Sequence, residues 1–211
     1  MIMDKDKIDK KDHILDVAER VFSELGFDGA STRTISGEAG VNMAMLNYYF
    51  GSKEGLFLAV FERKISSFQS MLQDIGNAEG MDALAKLEKC IDSYADKIII
   101  NNCFQKLINR EVSMGKQWAL TGKLTDMLMI NVLEVKKILD EGVKGGLFKK
   151  DSDVELVIAT IFGTKNYIVN TPHISSIMLG HDVNDNEFLE SKVKPRFKSY
   201  MKTLLKAYLV K

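Results

Sequence analysis

The segment Thr32-Arg33-Thr34-Ile35-Ser36-Gly37-Glu38-Ala39-Gly40-Val41-Asn42-Met43-Ala44-Met45-Leu46-Asn47-Tyr48-Tyr49-Phe50-Gly51-Ser52-Lys53-Glu54-Gly55-Leu56-Phe57 holds two short helical stretches around a glycine turn. Ser31 and Thr32 can cap the first stretch, which runs to about Ala39, because their hydroxyls satisfy free N–H groups of a first turn. Gly40 breaks that helix, and a second spans roughly residues 44–50. Gly51-Ser52 then interrupts the chain, and Ser52 can cap a longer helix from Lys53. Two short helices that cross steeply need a tight turn with small residues at the crossing, and Ala39 and Gly40 supply them. This is the order of a helix-turn-helix, whose second helix fits the major groove, about 12 Å wide.

Working outward, residues 10–26 carry Ile14, Leu15, Ala18, Val21, Phe22 and Leu25, one apolar stripe of an amphipathic helix that Gly26 should stop. After Lys53, the positions Leu56, Phe57, Val60, Phe61, Ile65, Phe68, Leu72 and Ile75 repeat that spacing. Further helices are expected over residues 81–100, 103–114, about 120–141, 152–170 and 186–210, with joints at Gly76-Asn77, Asn101-Asn102, Gly145-Gly146, Thr171-Pro172 and Gly180 to Asn186. No segment alternates with period two over a strand's length. The expected fold is all-α, with about nine helices. Its parts are a flexible tail (1–9), a three-helix helix-turn-helix domain (10–58) and a helical effector-binding and dimerisation domain (59–211).

The 211 residues include 29 Lys+Arg and 29 Asp+Glu, with 45% hydrophobic and 27% charged residues, an ordinary globular composition. The charged amino-terminal stretch has no apolar run of the kind a secretory signal needs, and no segment reaches about 18 uncharged apolar residues. With only Cys90 and Cys103, a reducing cytoplasm is the expected compartment. Zero net charge hides an asymmetry. Residues 1–60 hold seven Lys+Arg against ten Asp+Glu, a net −3, which leaves +3 for residues 61–211. The acids lie mainly in the tail and first helix, and residues 42–52 contain none.

Residues 32–57 resemble the DNA-binding domain of TetR/AcrR-family transcriptional regulators. Glu38-Ala39-Gly40-Val41 is similar to that family's turn. Tyr49-Phe50-Gly51-Ser52-Lys53-Glu54, followed by Leu56, is similar to its junction into the fourth helix. The resemblance covers residues ~10–60. It implies a homodimer on a palindromic operator in double-stranded DNA, usually a repressor released by a small molecule. Met43 stands where the family often has a basic residue, Asn47 where Tyr is common, and Tyr48 where His is frequent.

By that pattern, Asn42, Met43, Ala44, Asn47 and Tyr48 face base edges, while Thr32, Arg33, Thr34, Tyr49 and Lys53 face phosphates. An Asn amide can pair bidentately with adenine, and Ala or Met can touch a thymine methyl. Asn42 is equally suited to capping the recognition helix. The resemblance also gives a dimer face to residues 152–170 and 186–210, with Phe162, Phe197, Met201, Leu204, Leu205 and Tyr208 as candidates; packing within one chain is the competing role of each. Phe104, Met114, Trp118, Met127 and Tyr167 are candidates for an apolar effector pocket, since Met adapts to irregular shapes, although a Met or aromatic stripe more often forms core.

No phosphate-binding glycine loop, zinc-protease, serine-hydrolase or paired-cysteine metal motif occurs, so an enzyme is not expected, and neither is a cofactor or a metal site. Cys90 and Cys103 read as inert thiols, and His173 and His181 as loop or surface residues. The leading expectation is a ligand-responsive DNA-binding regulator controlled by a small apolar or amphipathic effector. The alternative is a helical dimeric sensor module that has lost specific DNA binding.

Overall fold

A computed structural model of the chain describes residues 2–98, 107, 108, 110, 111 and 118–211. Its helices are α1 (Ile2–Gly29), α2 (Thr32–Glu38), α3 (Met43–Phe50), α4 (Lys53–Gly76), α5 (Ala83–Ile98), α6 (Trp118–Lys144), α7 (Val154–Asn170), α8 (Pro172–Leu179) and α9 (Lys194–Leu209). A short helical piece, Asn186–Phe188, and a π-helical turn, Leu189–Val193, lead into α9. The wide turn sits just before Pro195, which has no N–H to give a helical bond. Among the described residues there is no strand, only an isolated antiparallel bridge between Phe148 and Val210.

The chain divides into two compact units, which do not coincide with the expected boundary at residue 58. The first takes residues 2–66 and the described part of 103–127; the second takes 67–98 and 128–211. The expected flexible tail is helical from Ile2, since no glycine or proline stands before Gly26 to stop α1. Gly26 does break the helical path, with φ 73° and ψ 176°, and one more turn follows it. A side chain there would be strained by that φ and would also overlap the Arg110 guanidinium. The backbone N–H of Phe27 donates to the Glu111 carboxylate at 3.3 Å, so two residues of the 103–114 segment seat on the break in α1.

An aromatic cluster forms the centre of the first unit. Phe57 meets Phe22 at 4.8 Å, Phe27 at 5.0 Å and Phe61 at 4.7 Å between ring centroids. Ile35, Ala39 and Leu46 bring α2 and α3 into the buried set. Ion pairs cross the helices of this unit: Arg63 reaches Asp16 at 2.7 Å and Glu19 at 3.4 Å, Lys64 reaches Glu19 at 3.0 Å, and Arg20 of α1 pairs with Glu38 of α2.

In the second unit, Phe68, Leu72, Leu87, Ile91, Tyr94, Val135, Ile161, Phe197, Met201 and Leu205 belong to one continuous core. Gly142 lets the buried Phe148 ring lie against α6, where a Cβ would overlap it. Lys198 to Asp96 at 2.7 Å and Lys202 to Asp92 at 2.6 Å tie α9 to α5. The hydrogen bond from Lys198 holds the Asp96 carboxyl below its ordinary range. No helix among the described residues is long and apolar enough to cross a membrane.

Candidate DNA-reading surface and effector core

The α2–turn–α3 unit is capped at every joint. The Thr34 N–H donates to the Ser31 hydroxyl at 3.0 Å, starting α2, and Gly40 turns the chain with φ 63°. The Met45 N–H donates to Asn42 Oδ1 at 2.7 Å, starting α3, and the Gly55 N–H donates to the Ser52 hydroxyl at 3.1 Å, starting α4. Leu46 is fully buried, which fixes the roll of α3. Positions 43, 44, 47 and 48 then lie together on its outer side, and Met43, Ala44, Asn47 and Tyr48 are all exposed. Tyr48 is 73% exposed. A large aromatic turned out to water on a capped helix with no acidic residue on that face can meet a groove.

Asn42, Lys53 and the threonines separate by role. Asn42 is exposed, but its oxygen is engaged as the α3 cap, which leaves only the amide nitrogen free of that duty. Bidentate pairing with a base, which uses both atoms of an amide, is therefore open to Asn47 and not to Asn42. The Lys53 amine lies 4.5 Å from the centroid of the Phe27 ring, a cation–π contact, instead of pointing into open solvent. Arg33 and Thr34 are exposed at the start of α2, whereas Thr32 and Tyr49 are half-buried. Tyr49 packs edge-on to Tyr48, 5.3 Å between centroids.

The carboxy-terminal candidates are redistributed. Phe104 and Met114 lie outside the described residues, as does Cys103. Trp118 opens α6, and Met127 is half-buried in the first unit. Tyr167, expected in the pocket, is 49% exposed on the outside of α7. Phe162, expected at a dimer face, instead turns inward and meets Tyr94 edge-on at 5.1 Å. Five residues on a helix turn about 140°, so these two were bound to face different ways. Phe197, Met201 and Leu205 are 4%, 0% and 3% exposed and belong to the core of their own chain, which corrects their assignment to a partner surface. Leu204 and Tyr208 remain exposed, and the Asp153 N–H donates to the Tyr208 hydroxyl at 3.1 Å, joining α9 to the start of α7.

The second unit contains a small apolar cavity of about 10 Å³, lined by Phe68, Leu72, Tyr94, Val135, Ile161 and Phe162, among others. Cys90 also lines it, and burial pushes that thiol up to about 12, so it stays protonated and unreactive. One turn beyond Ile161, Lys165 is 2% exposed, and desolvation brings its amine down to about 7. Sequence reasoning passed over this residue. Its signal was present: Lys165 continues the inner stripe Val154, Val157, Ile158, Ile161 and Val169, where a lysine is out of place.

A capped helix-turn-helix with an uncharged, outward reading face, followed by a helical core unit, defines a DNA-binding transcriptional regulator. Comparison with known proteins gives the family. Residues 14–60 match the bacterial regulatory proteins of the tetR family, and residues 84–194 match the tetracyclin repressor-like C-terminal domain. A fatty acid metabolism regulator protein of Bacillus subtilis (strain 168) is 29% identical over 170 residues, 79% of this chain and 85% of the relative. The probable HTH-type transcriptional regulator YttP of the same strain is 40% identical over 142 residues, 65% of this chain and 67% of the relative. Among solved structures, the transcriptional regulator FadR from Bacillus subtilis in complex with stearoyl-CoA superposes with a TM-score of 0.68 at 23% identity, covering 90% of this chain and 96% of that one. The chain belongs to the TetR family of transcriptional regulators, a family of DNA-binding proteins and not of enzymes.

Proposed function

We propose that this protein is a repressor that binds a palindromic operator as a homodimer through α3 and releases it when an apolar or amphipathic small molecule enters the second unit. The carrying observation is the outer face of α3, where Met43, Ala44, Asn47 and Tyr48 stand together on a helix fixed by its cap and by buried Leu46. Asn47 reads adenine, Met43 and Ala44 contact thymine methyls, and Arg33, Thr34 and Tyr49 position the phosphates.

The dimer surface is the exposed stripe of α7 and α9. Leu156 (64% exposed) and Tyr167 flank the small residues Ala159 and Gly163 on α7, while Tyr200, Leu204 and Tyr208 recur every fourth residue on α9. Apolar side chains at this spacing, with small residues allowing close approach, suit helix-on-helix packing against a second copy. The stearoyl-CoA complex of the solved relative supports an amphiphile as the effector class. A gel shift on the DNA upstream of the protein's own gene tests the proposal: specific retardation that Asn47→Ala abolishes is expected, and equal retardation of unrelated DNA would contradict it.

A further inference from the structure

We infer that Lys165 is the anion-recognition point of the effector site, and that the effector is a small amphiphile whose carboxylate or phosphate head is buried against this amine with its hydrocarbon body among the aromatic side chains around Tyr94. The inference rests on the effector-controlled reading above and adds the head group and its location.

Lys165 is 2% exposed, and its amine makes no hydrogen bond or ion pair to any described residue; its recorded neighbour is the Tyr94 ring, 5.5 Å from Nζ to centroid. Tyr94 is itself buried and bound into an aromatic shell with Phe68 at 5.8 Å, Phe162 at 5.1 Å and Phe197 at 6.2 Å. A lysine chain could reach water by extending along a helix surface; here it is kept inside, at the cost of desolvating the amine. That arrangement is unfavourable for folding alone, since an apolar side chain of similar length fills the same space without the penalty.

Ile161, one turn before Lys165 on α7, lines the small apolar cavity together with Tyr94 and Phe162. The buried amine, with no hydrogen-bond or ion-pair partner among the described residues, offers N–H donors to an anion, and the aromatic rings around Tyr94 offer an apolar wall to the chain attached to it. Within the low-dielectric core the bound anion keeps the amine charged, whereas the empty site disfavours the charge.

The experiment uses the full-length protein, a head-group series at one chain length (octanoate, octyl phosphate, octanol and octanoyl-CoA), and the variants Lys165→Met and Lys165→Arg. Binding is read by calorimetry and thermal shift, and DNA release by gel shift. Octanoate or octyl phosphate should bind wild type about tenfold or more tighter than octanol; whichever does so separates a free acid from a phosphate ester. Lys165→Met should abolish that preference while raising the melting temperature of the empty protein, and Lys165→Arg should retain part of it. Octanol binding as tightly as the anions, or octanol or octanoyl-CoA binding Lys165→Met better than wild type, would place the hydrocarbon end at this residue and overturn the inference. DNA release by octanol in wild type would do so while leaving effector control intact. A lower melting temperature for empty Lys165→Met would make the lysine a structural member and equally overturn it.

Discussion

Asn42 and Asn47 are the same residue type five positions apart, and the structure gives them different settings. Asn42 closes the first turn of α3 through its oxygen, whereas Asn47 is exposed on the outer face proposed to read bases. Loss of the cap in Asn42→Ala should destabilise the protein by about 1 kcal/mol, measured by urea unfolding, and Asn47→Ala should leave that midpoint unchanged. Lys165 yields a prediction in pH. Its amine titrates near 7 when folded, against 10.5 for an ordinary lysine, so between those values the unfolded chain holds the extra proton. Stability of the empty protein should therefore rise with pH from 7 to just below 9, and Lys165→Met should lose that rise. Burial holds Cys90 and Tyr94 protonated in the folded chain, whereas the unfolded chain releases those protons from their ordinary values of 9.0 and 10.0, so both groups oppose the rise above that window and produce none of it.

At the scale of elements, helix spacing was legible wherever a stripe met a clear stop. The spacing of Ile14 to Leu25 and Leu56 to Ile75 predicted α1 and α4, and Gly40, Gly51 and Asn42 sit at the joints expected of them. α8 was missed because Pro172 and Gly180, read as joints, are its own ends: proline begins a helix without losing a bond, and glycine closes it with φ 73°. α1 runs back through the tail because alternating charge says nothing against a helix when no breaker is present. Phe162 faces inward and Tyr167 outward, against expectation, because a stripe of apolar residues does not reveal which side of a helix its own chain covers. Contacts between distant residues were beyond reach of any local pattern. Gly142 is one such case, with nothing nearby in sequence to announce that the Phe148 ring needs its missing Cβ. Alanine normally favours a helix by about 1 kcal/mol over glycine. Here the ring is fully buried and cannot withdraw, so Gly142→Ala should instead destabilise by about 1–3 kcal/mol in chemical denaturation.

For the whole molecule, zero net charge and the −3 of residues 1–60 supply no bulk attraction to DNA. Arg63 and Lys64, just past that boundary, pair with Asp16 and Glu19, and Arg20 pairs with Glu38. The outer face of α3 is left uncharged. In the proposed dimer, few phosphate contacts should give a shallow salt dependence, with affinity drawn from base contacts made by both copies. An aspartate on the exposed stripe, Leu204→Asp, should convert the dimer to monomer in sedimentation at micromolar concentration without unfolding it, because Leu204 is 36% exposed in the single chain. Specific DNA binding should fall with it. DNA reading through α3 is tested by a salt-titrated gel shift of wild type and Asn47→Ala on the DNA upstream of the protein's own gene. Wild type should give discrete, competitor-resistant retardation of that DNA, with affinity falling only gently as salt rises, and Asn47→Ala should lose it. An intact dimer that retards no DNA even at low salt would contradict it.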